Sequence, residues 1–300
     1  MLVVGSVALD SVQTPFGKVR EVLGGAATYF SFAASFFTGV RLVGTVGEDF
    51  PPEHLQLLRE HRVDLGGLQQ RPGRTFRWTG EYGYDLNEAK TLDTQLNVFA
   101  DFKPALSDTF RSTPFLFLAN IDPELQLDVL QQMKSRPVLV ALDTMNFWIQ
   151  GKRSALLQVL GKVDVVTIND AEARQLAGEP NLVKAARAIT GMGPTTVVVK
   201  RGEYGALMLS EGTFFVVPAY PLETVYDPTG AGDTFAGGFM GYLAAQGRFD
   251  RGVLRRALVY GSVMASFTVE DFSLERLKRL TRQEIAERYD AFQDLIRLEG

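Results

Sequence analysis

The sequence contains no cysteine and only two histidines among its 300 residues. The absence of cysteine excludes disulfides, thiolate nucleophiles and Cys-ligated zinc. The two histidines, His54 and His61, lie on one predicted helix (Pro52 to Arg62) at a spacing that does not suit a pair of metal ligands. Acid–base chemistry is therefore expected to depend on carboxylates, and any metal is expected to be a hard, oxygen-bound cation such as Mg²⁺.

The sequence also lacks an excess of basic residues. Its formal net charge is -4, and Lys and Arg are spread thinly along the chain. No basic surface for nucleic acid or for an anionic membrane is predicted, so a small-molecule partner is favoured. The apolar segment from Leu2 to Val7 lacks a basic leader and is too short for a signal peptide or a membrane span. We interpret it as a first strand and expect a cytoplasmic protein.

Short β-branched segments alternate with helical patterns along most of the chain, which predicts an α/β fold. The strands from 138 to 142 and from 196 to 200 are almost wholly apolar, as expected for a mostly parallel sheet covered by helices on both faces. Strands are predicted at 2–7, 40–46, 115–119, 138–142, 163–168 and 195–200. Helices are predicted at 25–37, 52–62, 123–133 and 154–160, after Asn169, and several times after Ala231, ending with 282–298. We expect a single domain over residues 1–300.

Two segments interrupt this alternation. Residues 75–84 and 90–99 alternate polar with apolar or aromatic side chains on either side of Asp85-Leu86-Asn87-Glu88, which predicts a hairpin. A second polar, β-like segment follows the first strand. We interpret the two segments, at about 11–22 and 74–100, as a small β lid over the carboxyl edge of the main sheet, where open α/β folds bind ligands. A surface hairpin or a dimer contact is the alternative interpretation.

The segment from Asp227 to Phe235, Asp-Pro-Thr-Gly-Ala-Gly-Asp-Thr-Phe, carries the most chemical information. Gly230 and Gly232 allow a tight turn at the start of a helix, where converging backbone amides bind anions. Asp233, in the same turn, could accept a proton from an attacking hydroxyl while the amides hold a phosphoryl group. An ordinary capping aspartate fits the spacing as well. Neither a P-loop nor a dinucleotide-binding fingerprint occurs in the sequence.

This segment, followed by a Gly-rich helix, resembles the C-terminal signature of the PfkB, or ribokinase-like, carbohydrate kinases. The resemblance covers nearly the whole chain, because other landmarks of the family follow in the expected order. It implies a ribokinase-like three-layer sandwich with a mostly parallel central sheet, flanking helices and a small β lid. It also implies that the chain uses ATP and Mg²⁺ to phosphorylate a hydroxyl of a sugar or sugar-like molecule.

The resemblance assigns the catalytic base to Asp233. It assigns the anion hole to Gly230, Ala231 and Gly232. Asp227 and Thr229 match positions that hold a monovalent cation such as K⁺ in ribokinase-like members. The alternative for Asp227 is a structural one, in which its side chain opens the turn before Pro228.

On the acceptor side, Asp10 follows the first strand, where the family places an acid against substrate hydroxyls. Gly24 and Gly25 resemble the di-glycine segment that lines the sugar pocket of the family. Many members carry asparagine a few residues later, whereas this chain has Thr28 nearby. The Thr28 hydroxyl is a candidate substrate contact, with helix packing as the alternative. Within the lid, the side chains that are candidates to cover the substrate are Arg77, Trp78, Tyr82 and Lys90.

On the phosphate side, Asn169-Asp-Ala-Glu172 resembles the Asn-x-x-Glu motif that organises Mg²⁺ and phosphate. A capping box between Asn169 and Glu172 fits the same spacing. The segment Lys200-Arg-Gly-x-x-Gly205 resembles the nucleotide-binding strand and turn, including Gly202, although a simple hairpin turn is the alternative. Asp143-x-x-Asn146 resembles another polar pair that faces the phosphates.

Two other functions remain open at this stage. A nucleoside (adenosine-type) kinase would share the phosphotransfer residues and add aromatic side chains for the base. The aromatic candidates are Phe30, Phe32, Trp78 and Tyr82. A non-catalytic sensor of sugar and nucleotide is less favoured, because Asp233, Asn169 and Glu172 are all present. A homodimer through the β lid is compatible with either kinase.

Overall fold

The computed structural model describes residues 1–297 of the chain. Its strands are β1 (Leu2–Val4), β2 (Ala8–Thr14), β3 (Gly17–Gly24), β4 (Val40–Gly47), β5 (Val63–Arg71), β6 (Phe76–Tyr82), β7 (Ala89–Gln95), β8 (Phe115–Leu118), β9 (Leu139–Asp143), β10 (Val165–Asn169), β11 (Thr196–Lys200), β12 (Ala206–Ser210) and β13 (Thr213–Val217). Its helices are α1 (Ala26–Ser35), α2 (Pro52–Glu60), α3 (Pro123–Gln132), α4 (Asn146–Gly151), α5 (Arg153–Leu160), α6 (Asp170–Ala177), α7 (Leu182–Thr190), α8 (Ala231–Gln246), α9 (Arg251–Thr268), α10 (Glu275–Lys278) and α11 (Arg282–Ile296).

The larger of two sheets has the strand order β13-β12-β11-β10-β9-β8-β1-β4-β5. The strands from β11 to β5 in this order run parallel, whereas β12 and β13 close one edge as antiparallel neighbours. Because the strands from β8 to β11 are parallel and adjacent, their carboxyl ends meet at one edge of the sheet. The predicted mostly parallel sheet is confirmed.

Helices cover both faces of this sheet, so the core has two halves. Successive residues of β1 show the division, since Val3 packs into one half and Leu2 and Val4 pack into the other. Helices α1, α8 and α9 contribute to the first half, and helices α3, α5 and α7 contribute to the second. The predicted sandwich of helices, sheet and helices is therefore confirmed. None of the helices within residues 1–297 is long and apolar enough to span a bilayer.

The glycines inside α8 let α1 approach closely. A methyl group at Gly237 would overlap the backbone carbonyl of Phe30, and one at Gly241 would lie 2.9 Å from the Cα atom of Ala34. Glycine in a helix interior costs on the order of 1 kcal/mol relative to alanine. Here the cost is offset by the packing of two helix backbones, which fixes the start of α8 beside the start of α1.

The smaller sheet has the order β3-β2-β6-β7 and is called the small sheet below. Strands β6 and β7 pair as the predicted antiparallel hairpin, with Tyr82 opposite Ala89. Strand β2 pairs with β3 on one side and runs parallel to β6 on the other. The predicted association of the two polar segments in one small sheet is therefore confirmed.

The structure differs from the prediction at several elements, and β12, β13, α4 and α7 are among those that were not predicted. The predicted first strand, 2–7, ends at Val4, and the chain then turns into β2 of the small sheet. Strand β5 was not predicted, because its sequence VDLGGLQQR has neither a continuous apolar segment nor a clear alternation. The last helix ends at Ile296, and Leu298, the predicted end, lies outside the described residues.

Candidate active site

Three neighbouring strands end in polar residues at the carboxyl edge of the large sheet. These residues are Asp143 on β9, Asn169 on β10 and Lys200 on β11. The Lys200 ammonium donates a hydrogen bond of 2.7 Å to Asp143 Oδ2, which also accepts a hydrogen bond from Thr167 Oγ1 at 3.0 Å. The Asp143 carboxylate is 5% exposed and the Lys200 side chain 17% exposed, so this ion pair is largely removed from solvent. Each of these two charges requires the other, because an unpaired buried charge is strongly destabilising.

The first turn of α8 packs directly against this ion pair. A methyl group at Gly232 would lie 3.1 Å from Lys200 Nζ, so the ammonium occupies the space that a side chain would need. Gly230 caps the helix in the left-handed conformation, with φ of 75°, and a methyl group there would overlap the ring of Tyr29. Gly230 is therefore required by its backbone conformation and by the Tyr29 ring, whereas a side chain at Gly232 would crowd the end of Lys200.

The amides of this turn are only partly used within the protein. Ala231 donates its N–H to the Pro228 carbonyl at 3.1 Å, and Thr234 donates to the Gly230 carbonyl at 2.8 Å. Within residues 1–297, no protein acceptor is found for the amides of Gly232 and Asp233. The anion hole expected from Gly230, Ala231 and Gly232 stays a prediction: the Ala231 amide is engaged with Pro228, whereas the Gly230 amide, like those of Gly232 and Asp233, has no acceptor among residues 1–297. Unpaired amides at a helix N-terminus next to an ammonium favour a bound anion.

Asp233 lies in the same turn and keeps part of its surface exposed. Loss of hydration and, second, the charge of Asp143 raise the pKa of its carboxyl to about 7, against the opposite effect of the Lys200 ammonium. A carboxyl with a pKa near neutrality is suited to accept a proton in a reaction at neutral pH. A perturbed pKa in a cleft is also a marker of functional sites.

Asp10, Gly24 and Gly25 are brought together on the small-sheet side of Asp233. The Gly25 amide donates a hydrogen bond of 3.3 Å to Asp10 Oδ2, and a methyl group at Gly24 would overlap that carboxylate. Burial raises the pKa of Asp10 to about 7, against the effect of the Gly25 hydrogen bond, and the charges of Asp227 and Asp233 add to the increase. The Asp10 carboxyl of the small sheet thus lies near the carboxyls of Asp227 and Asp233 at the start of α8.

Asp227 and Thr229 stabilise the loop that leads into α8. Asp227 is 1% exposed, and it accepts hydrogen bonds from the amides of Thr229 at 2.9 Å and Ser273 at 3.1 Å. These bonds match the structural alternative, in which Asp227 opens the turn. Thr229 Oγ1 donates to the hydroxyl of Tyr82 at 3.3 Å, so the small sheet reaches this loop. The monovalent cation at these residues stays a prediction.

Asn169 and Glu172 form a capping box at the start of α6. Asn169 Oδ1 accepts from the Glu172 amide at 2.8 Å, and Glu172 Oε2 accepts from the Asn169 amide at 2.9 Å. Burial and the nearby charge of Asp143 raise the pKa of Glu172 to about 7, against the effect of Lys200. Within residues 1–297, no three His, Cys, Asp or Glu side chains are grouped to hold a metal ion. A metal at Glu172 would therefore depend on oxygens supplied by a ligand.

Several candidate contacts with the acceptor are corrected. Thr28 is 0% exposed on a buried side of α1, which matches the packing alternative. Phe30 stacks on Phe117 and Phe32 packs on His61, both within the core, so neither ring is available to a nucleobase.

Arg77 and Lys90 lie on the other face of the small sheet. The Arg77 guanidinium donates hydrogen bonds of 2.7 Å to both Glu21 and Asp49. Trp78 is paired with Asp10, so their side chains share one face of the small sheet. Arg77, the neighbour of Trp78, therefore points to the opposite face. Lys90 is paired with Glu81, which lies on that opposite face too. The prediction that these two cations face the substrate is wrong, since the sequence does not define which face of the hairpin meets the site.

Some contacts of the site had no signal in the sequence. Ser273 reaches Asp227 across 46 positions, and Asn87 at the tip of the β6–β7 hairpin reaches Glu203 across 116 positions. No local pattern indicates either pair, because both depend on how distant segments pack.

The family model of the pfkB family carbohydrate kinases matches residues 3–277. The chain therefore belongs to this family, whose members are kinases that transfer phosphate from ATP, with Mg²⁺, to a sugar-like acceptor. The chain is a transferase of this class.

Individual relatives agree with this assignment. The chain is 32% identical over 247 residues to the cytidine kinase of Thermococcus kodakarensis, with 80% of this chain and 87% of the relative covered. It is 27% identical to the nucleoside kinase of Methanothermobacter thermautotrophicus, with 94% and 96% covered. The solved structure of a putative ribokinase II from E. coli in complex with ATP and Mg²⁺ superposes with a TM-score of 0.79 at 19% identity, with 98% of both chains covered. The ribokinase-like fold is thereby shown.

The raised pKa of Asp233 predicts how stability depends on pH. Folding raises this pKa from 3.8 to about 7, so between these values the folded chain binds the proton more tightly than the unfolded chain does. The resulting stabilisation is complete below about pH 4 and is lost as the pH rises through about 7. Asp233→Asn cannot ionise, so its unfolding free energy should decrease less than that of the wild type between about pH 5 and about pH 8. Urea unfolding at both pH values measures this difference, and an identical decrease in the two proteins would contradict it.

Proposed function

We propose that Asp233 is the general base of phosphotransfer from ATP to an acceptor hydroxyl that is held by Asp10. One observation carries this proposal. The charge of the Asp233 carboxyl interacts both with the Lys200 ammonium, beside the amides of Gly232 and Asp233, and with the carboxyl of Asp10. A donor phosphate and an acceptor hydroxyl bound at these two places would meet at Asp233.

The residues then have distinct roles. Asp10 accepts a hydrogen bond from a hydroxyl of the acceptor and orients the molecule. Asp233 takes the proton of the reacting hydroxyl while the oxygen of that hydroxyl forms a bond to the γ-phosphorus. The bond from that phosphorus to the bridging oxygen breaks, and ADP leaves with the bonding electrons. The amides of Gly232 and Asp233 and the Lys200 ammonium stabilise the negative charge on the phosphoryl oxygens.

The charges of the site fit a requirement for Mg²⁺. The carboxyl groups of Asp143, Glu172 and Asp233 surround the single ammonium of Lys200. A polyphosphate entering this group of acids would be repelled without further positive charge. When bound, Mg²⁺ neutralises phosphate charge and orients the phosphate oxygens. We propose that Glu172 and Asn169 help to hold it, in addition to capping α6.

The remaining assignments rest on the same proposal. The turn from Gly202 to Gly205 contributes to the nucleotide site, and both glycines have positive φ, of 53° and 82°. The small sheet acts as a lid within one kinase domain, and K⁺ binds at Asp227 and Thr229. A homodimer through the small sheet is supported by the exposed side chain of Leu92 on its edge strand β7.

The proposed location of the protein is the cytoplasm.

We further propose that the acceptor is a nucleoside. Trp78 and Tyr82 lie on the same face of β6 as the paired Asp10 of β2. A methyl group at Gly80 would overlap the indole, so the ring of Trp78 lies flat along the sheet, where it donates a hydrogen bond of 3.2 Å to Thr91 Oγ1. A flat aromatic surface beside an acid suits a base that stacks while ribose hydroxyls reach Asp10. The cytidine kinase and nucleoside kinase relatives support this choice over a free sugar.

Replacing the proposed base should abolish most of the turnover. Asp233→Asn should lower kcat by about 10²- to 10⁴-fold, because a general base contributes roughly that factor. Phosphotransfer from ATP to a panel of nucleosides and free sugars is the measurement, with circular dichroism to establish that the variant folds. Asp93→Asn, which changes an exposed carboxylate on β7, is the matched control and should keep wild-type turnover. Full activity of Asp233→Asn would refute the assignment of the base.

Removing the indole should separate nucleosides from free sugars. Trp78→Ala should raise KM for nucleosides by about 5- to 150-fold, since base–aromatic stacking contributes about 1–3 kcal/mol. For any free sugar that the enzyme accepts, KM should rise by a smaller factor than it does for a nucleoside. Tyr84→Ala is the control, because Tyr84 belongs to the same hairpin and is 97% exposed. Equal changes for both kinds of acceptor would argue against a stacked base.

A further inference from the structure

The tip of the β6–β7 hairpin, residues 85–88, touches the turn that follows β11. Asn87 Nδ2 donates a hydrogen bond of 3.2 Å to Glu203 Oε1, and the Glu203 amide donates one of 3.2 Å to Asn87 Oδ1. Both functional groups of the Asn87 side chain are therefore used in one contact. We call this pair of hydrogen bonds the clasp. It connects the small sheet to the turn that contains Gly202.

The hairpin itself holds Asn87 in the orientation that the clasp needs. Asp85 Oδ1 accepts hydrogen bonds from the Asn87 amide at 3.0 Å and from Asn87 Nδ2 at 3.1 Å. This arrangement is an Asx turn, which fixes the backbone two residues after the aspartate. Less conformational entropy is lost when a side chain held in this way forms its contact.

The turn after β11 is shaped to receive this side chain. Gly202 has φ of 53°, and a methyl group at that position would overlap Asn87 Oδ1. The glycine is thus required both by its backbone conformation and by the approach of the hairpin tip. A glycine expected for contact with nucleotide, or for a simple hairpin turn, therefore also admits the hairpin tip.

The same hairpin has a second point of contact beside the acceptor acid. Tyr82, the last residue of β6, accepts a hydrogen bond of 3.3 Å from Thr229 in the loop before α8. The clasp lies at the turn just beyond Lys200, whose ammonium pairs with Asp143. Strand β6 and its turn therefore reach from the acceptor side of the site to the donor side.

We propose that Asn87 and Glu203 are positioning residues that hold the hairpin closed over donor and acceptor together. The inference rests on the function proposed above. Closure of a lid excludes water and completes the arrangement of reacting groups. Hydrogen bonds between exposed side chains are individually weak, so the clasp can open for product release, and its loss should change rates by about tenfold rather than abolish them.

An exchange of hydrogen-bonding groups tests the clasp. Asn87→Asp keeps the acceptor for the Glu203 amide, but it removes the donor and places a carboxylate beside Glu203. It should lower kcat/KM for both ATP and the acceptor by about tenfold. Combining it with Glu203→Gln returns a donor to the other side of the pair and should recover part of both values, since the new carboxylate still faces Asp85. Glu88→Gln, which removes an exposed charge from the neighbouring position, is the control and should behave as wild type.

Hydrogen–deuterium exchange separates a positioning role from a general loss of stability. Without ligands, exchange at residues 83–95 should be faster in Asn87→Asp than in wild type and slower in the double variant than in Asn87→Asp. Exchange in α8 should be the same in all three proteins. Wild-type kcat/KM in Asn87→Asp, or failure of the double variant to recover, would overturn the clasp while leaving the proposed function intact. If the wild-type chain transfers no phosphate to any acceptor of the panel, the proposed function fails, and with it this role.

Discussion

The ion pair between Lys200 and Asp143 governs the chemistry of the whole site. It places one ammonium where the carboxyl ends of parallel strands meet the first turn of α8, and Gly232 leaves the space for it. The helix N-terminus and the ammonium together attract anions, whereas the surrounding carboxyl groups repel them. Burial and the neighbouring carboxyl groups raise the pKa values of Asp233 and Glu172 to about 7 although the ammonium lowers them, and so many acids around one ammonium favour a divalent cation beside a bound polyphosphate. A charge-neutral substitute for Lys200 would leave Asp143 buried without its partner.

The small sheet complements this arrangement because it brings the acceptor side to a site built by the large sheet. Asp10 and Trp78 share one face of the paired strands β2 and β6, and Tyr82 contacts the loop before α8. In the proposed function, the small sheet selects the acceptor, whereas the strand ends and α8 carry the phosphate chemistry.

Most of the fold could be predicted from the sequence, because apolar strands and helical patterns report burial directly. The turn from Asp227 to Asp233 could also be recognised, since its glycines and acid follow one another in the chain. The faces of the hairpin could not be predicted, so Arg77 and Lys90 were expected on the wrong side. Phe30 was misplaced for a related reason, as α1 is apolar on all sides and gives no sign of which side chains reach a cavity. Long-range pairs such as Asn87 with Glu203 arise only from packing.

The central claim is that phosphoryl transfer takes place between the first turn of α8 and the carboxyl of Asp10. A crystal structure with ADP, aluminium fluoride as a mimic of the transferring phosphoryl group, and the acceptor tests it most directly. The account predicts the fluoride within hydrogen-bonding distance of the amides of Gly232 and Asp233 and of the Lys200 ammonium, with the acceptor hydroxyl against the Asp233 carboxylate. A fluoride bound away from α8, or an acceptor hydroxyl that no carboxylate contacts, would contradict it.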